Sequence, residues 1–226
     1  MKYIIMCGGK YKYWETPKQL QEVYGHPIVW WTIHLLFDNG IHPDDVYISS
    51  NDSRFDGFGV ERLKHNNTFE TDGKNIKGYW VDGFYPTREE TTYLFGDVMY
   101  TDKAIKTIIE SKTDNVLFFG SLNLNRKDNF KEWEEPFGFK VVNQRLFRAG
   151  IEACKELYDE GKTRRHPISW ELYRVINGYP VNEHIIGANY VAIDDKTTDF
   201  DTPEEYERII KELEIKDNEI LDPHFS

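Results

Sequence analysis

The sequence predicts an α/β fold, a three-layer αβα sandwich around a mixed, mainly parallel sheet, and three observations predict it. Short, nearly continuous apolar runs, Tyr3-Ile4-Ile5-Met6-Cys7, Val46-Tyr47-Ile48-Ser49 and Val116-Leu117-Phe118-Phe119, read as strands covered on both faces. Helix-like segments alternate with these runs, which is the order of elements that builds a parallel sheet. No internal repeat, low-complexity tract or Pro/Gly/Ser linker interrupts the 226 residues, so one domain over 1–226 is the simplest organisation.

Each element follows from its own signals. The first run stops at Gly8-Gly9. From Pro27 to Phe37, Ile28, Trp31, Ile33, Leu35 and Leu36 predict a mostly buried helix, stopped by Asn39-Gly40. With the strand at 46–49 this makes a βαβ unit. Residues 51–90 are rich in Gly, Asn, Asp and Lys, with one strand predicted at Gly78–Val81. Thr91–Phe95 reads as a strand, and Thr101-Asp102 as the cap of a helix running to about Ile109. The polar, aromatic stretch from Asn123 to Gly138 reads as a long excursion over the sheet, part of an insertion at about 120–185. Beyond it come a strand at Phe139–Val142, helices at Gln144–Tyr158 and His166–Ile176, and a strand at Tyr190–Ile193. A last helix from Thr202-Pro203 to Leu213 opens with a capping residue, a proline and acidic residues.

Composition narrows the function classes. Twenty-eight Lys and Arg against 39 Asp and Glu give a formal charge of −11, so neither nucleic acid nor a membrane surface is expected as partner. No stretch has the length of a signal h-region or a membrane span, and a cytoplasmic protein is expected. Cys7 and Cys154 are far apart and outside any Cys/His cluster, so reduced, buried thiols are expected rather than a disulfide or a zinc site. Aromatic residues make up 15% of the chain, enough to fill a core that is modest in aliphatics.

Two constellations carry chemistry. Gly8-Gly9 after the first strand lets backbone N–H groups approach an anion, with Lys10 next and Lys18 after Pro17. The same residues also suit a surface turn with two solvated lysines, and they form neither a Gx4GK[ST] loop nor GxGxxG. Asp97, in Tyr93-Leu94-Phe95-Gly96-Asp97-Val98, lies just past a predicted strand, where α/β folds bind ligands, or simply ends that strand in a turn. Asp199 and Asp201 precede the last helix, which Asp201 or Thr202 can simply cap.

Taken together, these strings resemble the signature of the GT-A-like nucleotidyltransferases, the sugar-phosphate and alcohol-phosphate nucleotidyltransferases. Tyr3 to Lys10, Thr16-Pro17-Lys18-Gln19-Leu20 and Val23-Tyr24-Gly25-His26-Pro27-Ile28 resemble its N-terminal segment. Phe95-Gly96-Asp97 resembles its hydrophobic-x-Gly-Asp element, and Asp199-Phe200-Asp201-Thr202-Pro203-Glu204-Glu205-Tyr206 its closing acidic segment. The match covers 1–50 well, 93–110 and 186–213 in part, and leaves 120–185 unmatched. The resemblance implies a GT-A, nucleotide-diphospho-sugar-transferase-like fold. It implies nucleotide-binding roles for Cys7, Gly8, Gly9, Lys10, Lys18 and Gly96, with Lys10 and Lys18 supplying catalytic charge. It also implies Mg²⁺ held by Asp97 and Asp201, with Asp199 as a near alternative. The family loop usually carries a further glycine and an arginine before Pro-Lys; here Tyr11-Lys12-Tyr13-Trp14 stands in their place.

The implied activity moves a nucleoside monophosphate from an NTP to a small phosphorylated acceptor, a sugar phosphate, alditol phosphate or phosphocholine-like compound, and releases pyrophosphate. CTP is the preferred donor by the compact length, and carbohydrate biosynthesis the implied setting. The assembly is left open, with a homodimer as one form. Lys162-Thr163-Arg164-Arg165-His166 is the densest basic cluster, and Arg164 and Arg165 are the candidates for the acceptor phosphate, against a solvated loop. Trp133 with Glu134-Glu135 offers an aromatic and two acids to a cationic group. Two rivals stand beside this reading: a GT-A glycosyltransferase using Asp199-x-Asp201, and a nucleotide-binding module without turnover.

Overall fold

The computed structural model of the chain describes residues 1–11, 14–65, 67–72, 74–122 and 134–215. Its centre is a seven-stranded sheet of β1 (Lys2–Met6), β2 (Val46–Ser49), β3 (Glu61–Leu63), β4 (Thr91–Phe95), β5 (Val116–Gly120), β6 (Pro136–Val141) and β7 (Tyr190–Ala192). The spatial order is β7-β5-β6-β4-β1-β2-β3, and every neighbouring pair is parallel except those made by β6. This is the expected α/β sandwich with a mixed, mainly parallel sheet. Ile4 and Ile5 of β1 and all of β5 are buried, as continuous apolar strands require. Met6 pairs with Ser49 on one side and Phe95 on the other, so β1 and β4 end level and their following turns leave from one edge.

Helices α1 (Ile28–Asp38), α2 (Asp102–Glu110), α3 (Gln144–Asp159), α4 (Ser169–Ile176) and α5 (Pro203–Ile215) complete the fold. The Thr101 hydroxyl caps α2 by accepting from Ala104 N–H at 3.0 Å. At the other end of α2, Lys140 of β6 donates to the carbonyls of Ile109 (2.9 Å) and Ser111 (2.6 Å). A cation on helix C-terminal carbonyls is favourable, and it explains how a buried lysine, its pKa pushed down by desolvation, is tolerated inside a sheet. Asn143 Oδ1 caps α3 through Leu146 N–H at 2.9 Å.

A second cluster, Val23, Ile28, Trp31, Met99, Phe200 and Ile209, lies outside the main core. It fastens the segment around Phe200 and α5 to α1, which brings the later part of the chain back to the end of β1. Both cysteines are free and buried, and among the described residues no helix is long and apolar enough to cross a membrane.

Three element expectations change. Gly78–Val81 is not a strand: Trp80–Gly83 forms a 3-10 turn. The Trp80 N–H goes to His166 Nε2 (3.0 Å) instead of to a strand neighbour, and its ring packs edge-on against Phe84 and Phe95. The end of the expected excursion, Pro136 to Gly138, lies inside the sheet, because Phe137 and Phe139 are fully buried and Gly138 lets β6 lie against the Tyr93 backbone; residues 123–133 lie outside the described residues. Helix α4 starts at Ser169, since His166 is used as an acceptor and Pro167 follows it.

Candidate active site

The edge where β1 and β4 end carries a cavity of about 360 Å³, and Gly8 and Asp97 both line it. The backbone turn and the carboxylate therefore face one volume. Gly96 makes this possible. Its N–H donates to Met6 O at 3.1 Å, and a Cβ there would stand 2.6 Å from that oxygen and 2.7 Å from Cys7 Sγ, closer than real side chains allow. Gly9 has φ +85°, a left-handed conformation that favours glycine. Backbone pairing resumes one residue later, where Lys10 N–H donates to Phe69 O at 3.0 Å. Cys7 packs beneath the turn; burial, with Asp97 nearby, pushes its thiol pKa well up, so it stays protonated.

Lys18 joins the two constellations. It sits in the 3-10 turn Lys18–Leu20 and is 3% exposed. Its Nζ donates to Asp97 Oδ2 at 2.6 Å, to Phe200 O at 3.1 Å and to Asp201 Oδ1 at 3.5 Å. Asp199 comes beside Asp97 because Thr198–Asp199 pairs antiparallel with Val98–Met99. All three aspartates line the cavity. Trp14 closes the arrangement from outside: its Nε1 donates to Asp201 O at 3.0 Å and its ring packs on Phe200 and Tyr206. Part of the aromatic loop thus docks the later segment of the chain; Lys12 and Tyr13 lie outside the described residues.

The remaining candidates separate. Lys10 is 80% exposed, paired with Glu70 at 3.3 Å and outside the cavity lining. Arg165 lines the cavity, whereas Arg164 does not and anchors its loop through its backbone N–H to Asn182 Oδ1 at 2.7 Å. Glu134 and Glu135 line the cavity too, while Trp133 lies outside the described residues.

The donor set bears on a metal. Asp97 and Asp201 reach one ammonium that also takes a backbone carbonyl, an all-oxygen environment already arranged around a cation. Among the described residues no three His, Cys, Asp or Glu side chains close round one point. These hard oxygen donors fit magnesium, which typically takes one or two carboxylates and completes its shell with water and phosphate oxygens.

Several site residues carry no motif in the sequence. Tyr100 is fully enclosed; its hydroxyl accepts from Phe95 N–H (3.0 Å) and donates to Phe137 O (2.5 Å), bridging β4 and β6 two residues before Asp97. Burial pushes its pKa well up, so the proton that makes this bridge stays on. Asn67 packs its amide against both Gly8 and Gly83, and with Trp80 it lines the cavity. Gln19, in the Thr16–Leu20 string beside Lys18, also lines the cavity.

No family model matches the sequence, and no curated protein matches it. Solved structures do match. CTP:phosphocholine cytidylyltransferase from Streptococcus pneumoniae superposes with TM-score 0.55 at 13% identity, over 93% of this chain and 97% of its own. A 4-diphosphocytidyl-2C-methyl-D-erythritol synthase from Anaerococcus prevotii gives TM-score 0.56 at 9% identity, over 94% and 96%. A Bacillus anthracis protein assigned as a glucose-1-phosphate thymidylyltransferase gives 0.55 at 16%, over 93% and 94%. At these identities the likeness is one of architecture, spanning nearly the whole of each partner. The chain has the fold of the GT-A-like nucleotidyltransferases.

Proposed function

We propose that the protein is a nucleotidyltransferase that moves a nucleoside monophosphate from an NTP to a small phosphorylated acceptor and releases pyrophosphate. The observation that carries this reading is the meeting of the Gly8-Gly9 turn, the buried Lys18 and Asp97 at one cavity, in a fold shared with such enzymes. An acceptor phosphate oxygen attacks the α-phosphorus, the bond from that phosphorus to the β-phosphate bridge breaks, and pyrophosphate leaves with the electron pair. The chain's part is alignment and charge: the turn holds phosphate oxygens by its amides, and Lys18 offsets the charge that gathers on them. Asp97 and Asp201, with Asp199 beside them, would hold Mg²⁺, which when bound supplies positive charge to the phosphates. Lys10 would join only by leaving Glu70.

CTP is the donor we favour, since two of the similar structures are named for cytidylyl chemistry. Sugar phosphates, alditol phosphates and phosphocholine-like compounds are the acceptor classes, with Arg165 at the acceptor side. On this reading residues 1–226 form one catalytic domain, with an acceptor-side insertion within about 120–185, from which Arg165 reaches the cavity lining. Incubation with each NTP, Mg²⁺ and a panel including phosphocholine and glucose-1-phosphate, followed by pyrophosphate detection, tests it. Pyrophosphate release that disappears in Asp97→Ala supports the proposal. UDP release from UDP-sugars would favour a glycosyltransferase, and nucleotide binding without either product a non-catalytic module.

A further inference from the structure

We propose that Glu171 is a positioning residue that holds Arg165 ready for the phosphoryl group of the acceptor; this rests on the nucleotidyl-transfer reading above. Arg165 lines the cavity with its side chain 55% exposed. Its Nε donates to Glu171 Oε1 at 2.9 Å and its Nη2 to Oε2 at 3.4 Å. Among the described residues its Nη1 has no hydrogen-bond partner, so the fork is gripped on one side only.

The grip is itself fixed. Glu171 is 4% exposed and also accepts from Arg174 Nη1 at 3.1 Å and from Ile168 N–H at 3.1 Å, at the start of α4. Arg174, 6% exposed, is held in turn by Val181 O at 3.1 Å and by His184 Nδ1 at 3.1 Å. Buried Arg174 offsets the Glu171 charge inside the wall, so the charge of Arg165 is a surplus presented to the cavity. Among the described residues, every other charged group lining that cavity is a carboxylate, apart from Lys18, which is engaged with Asp97. An anionic acceptor needs such a surplus, and a guanidinium fixed before binding loses less freedom when it meets a phosphate. Ser169, 1% exposed and in the same wall, has an Oγ with no hydrogen-bond partner among the described residues. A buried hydroxyl so left is a second sign that this wall is completed by a polar ligand.

The test uses the full chain and two variants, Arg165→Lys and Glu171→Gln, read by calorimetric titration with inorganic phosphate, by thermal melting, and by KM for acceptor and NTP. Arg165→Lys keeps the charge at an exposed position but loses the fork. Phosphate affinity is expected to fall about tenfold in both variants, and the rise in KM to fall on the acceptor rather than the NTP. Should Glu171→Gln melt too low to assay, Glu171→Asp, which keeps the buried charge beside Arg174 but shortens its reach to Arg165, takes its place with the same expectation. Phosphate affinity and acceptor KM equal to wild type in the assayable variants overturn the proposal, as does the absence of phosphate binding by wild type. Turnover with unaltered acceptor KM leaves nucleotidyl transfer standing without this role for Glu171. Loss of phosphate binding in the variants of a protein that turns over no NTP does the reverse.

Discussion

Lys18 and Asp97 form a 2.6 Å ion pair in which the ammonium is 3% and the carboxylate 19% exposed. A charge so enclosed is tolerable only with its partner, so the pair ties the Pro17-Lys18 turn to the loop after β4 at the point where phosphate chemistry is proposed. Replacing Lys18 by Met leaves Asp97 without that partner. Breaking a buried pair in this way costs about 3 kcal/mol, and loss of a charge at the transferring phosphate costs roughly a hundredfold in turnover. Denaturant unfolding and pyrophosphate release measure the two effects; an unchanged melt with full turnover would remove Lys18 from the site.

Tyr100 makes a different kind of tie. Tyr100→Phe keeps the ring but leaves Phe95 N–H and Phe137 O without the hydroxyl that joins them. The expected loss is about 1–3 kcal/mol in urea unfolding, the usual effect of orphaning buried polar groups. A variant as stable as wild type would show that the bridge contributes nothing.

Acidification should act through His166. Its Nε2 accepts from Trp80 N–H, and burial lowers its pKa from 6.5, so folding favours the neutral ring. A group whose folded pKa is depressed gives its full stabilisation above the unfolded value of about 6.5 and loses it as pH falls below that value and through the folded pKa. Melting temperature should therefore decline as pH falls from about 7.5 to about 5, the range in which histidines titrate, and His166→Gln should flatten part of that decline. Identical slopes in both proteins would exclude the histidine as a source.

Removing the Trp14 side chain should loosen a remote segment. Trp14→Ala deletes the bond to Asp201 O and the packing on Phe200 and Tyr206, at about 2 kcal/mol for a half-buried ring. Faster amide exchange confined to residues 198–206 is the expected signature. Exchange unchanged there would mean that the second core cluster holds the segment without Trp14.

The legible parts of this protein were those with local signals. The apolar runs of β1, β2 and β5, the Thr101 cap and the Pro203 start could be read because strand burial and helix capping are written in adjacent residues. Gly8 and Asp97 could each be flagged from a short string. Their convergence on one volume is expected only through the family resemblance, not from either string alone, and the structure meets it through the level pairing of Met6 with Phe95.

What escaped reading depends on distant partners. Trp80 looked like part of a strand until His166, 86 residues on, took its N–H. Lys140 sits in a strand interior, which composition would disfavour, and is explained only by the end of α2. Lys10 and Lys18 look alike in sequence, yet one pairs with Glu70 at the surface and the other is enclosed by Asp97. Glu171 carries no motif at all.

The hydrogen bond from Trp14 to Asp201 spans 187 positions. Contacts of such separation require closing a very long loop, and they tend to form only after nearer ones have constrained the chain. The sheet can therefore organise before the aspartate-bearing segment settles on it. Refolding followed by core fluorescence should run ahead of recovered ligand affinity, so a nearly folded molecule passes through a stage that cannot yet hold its substrates.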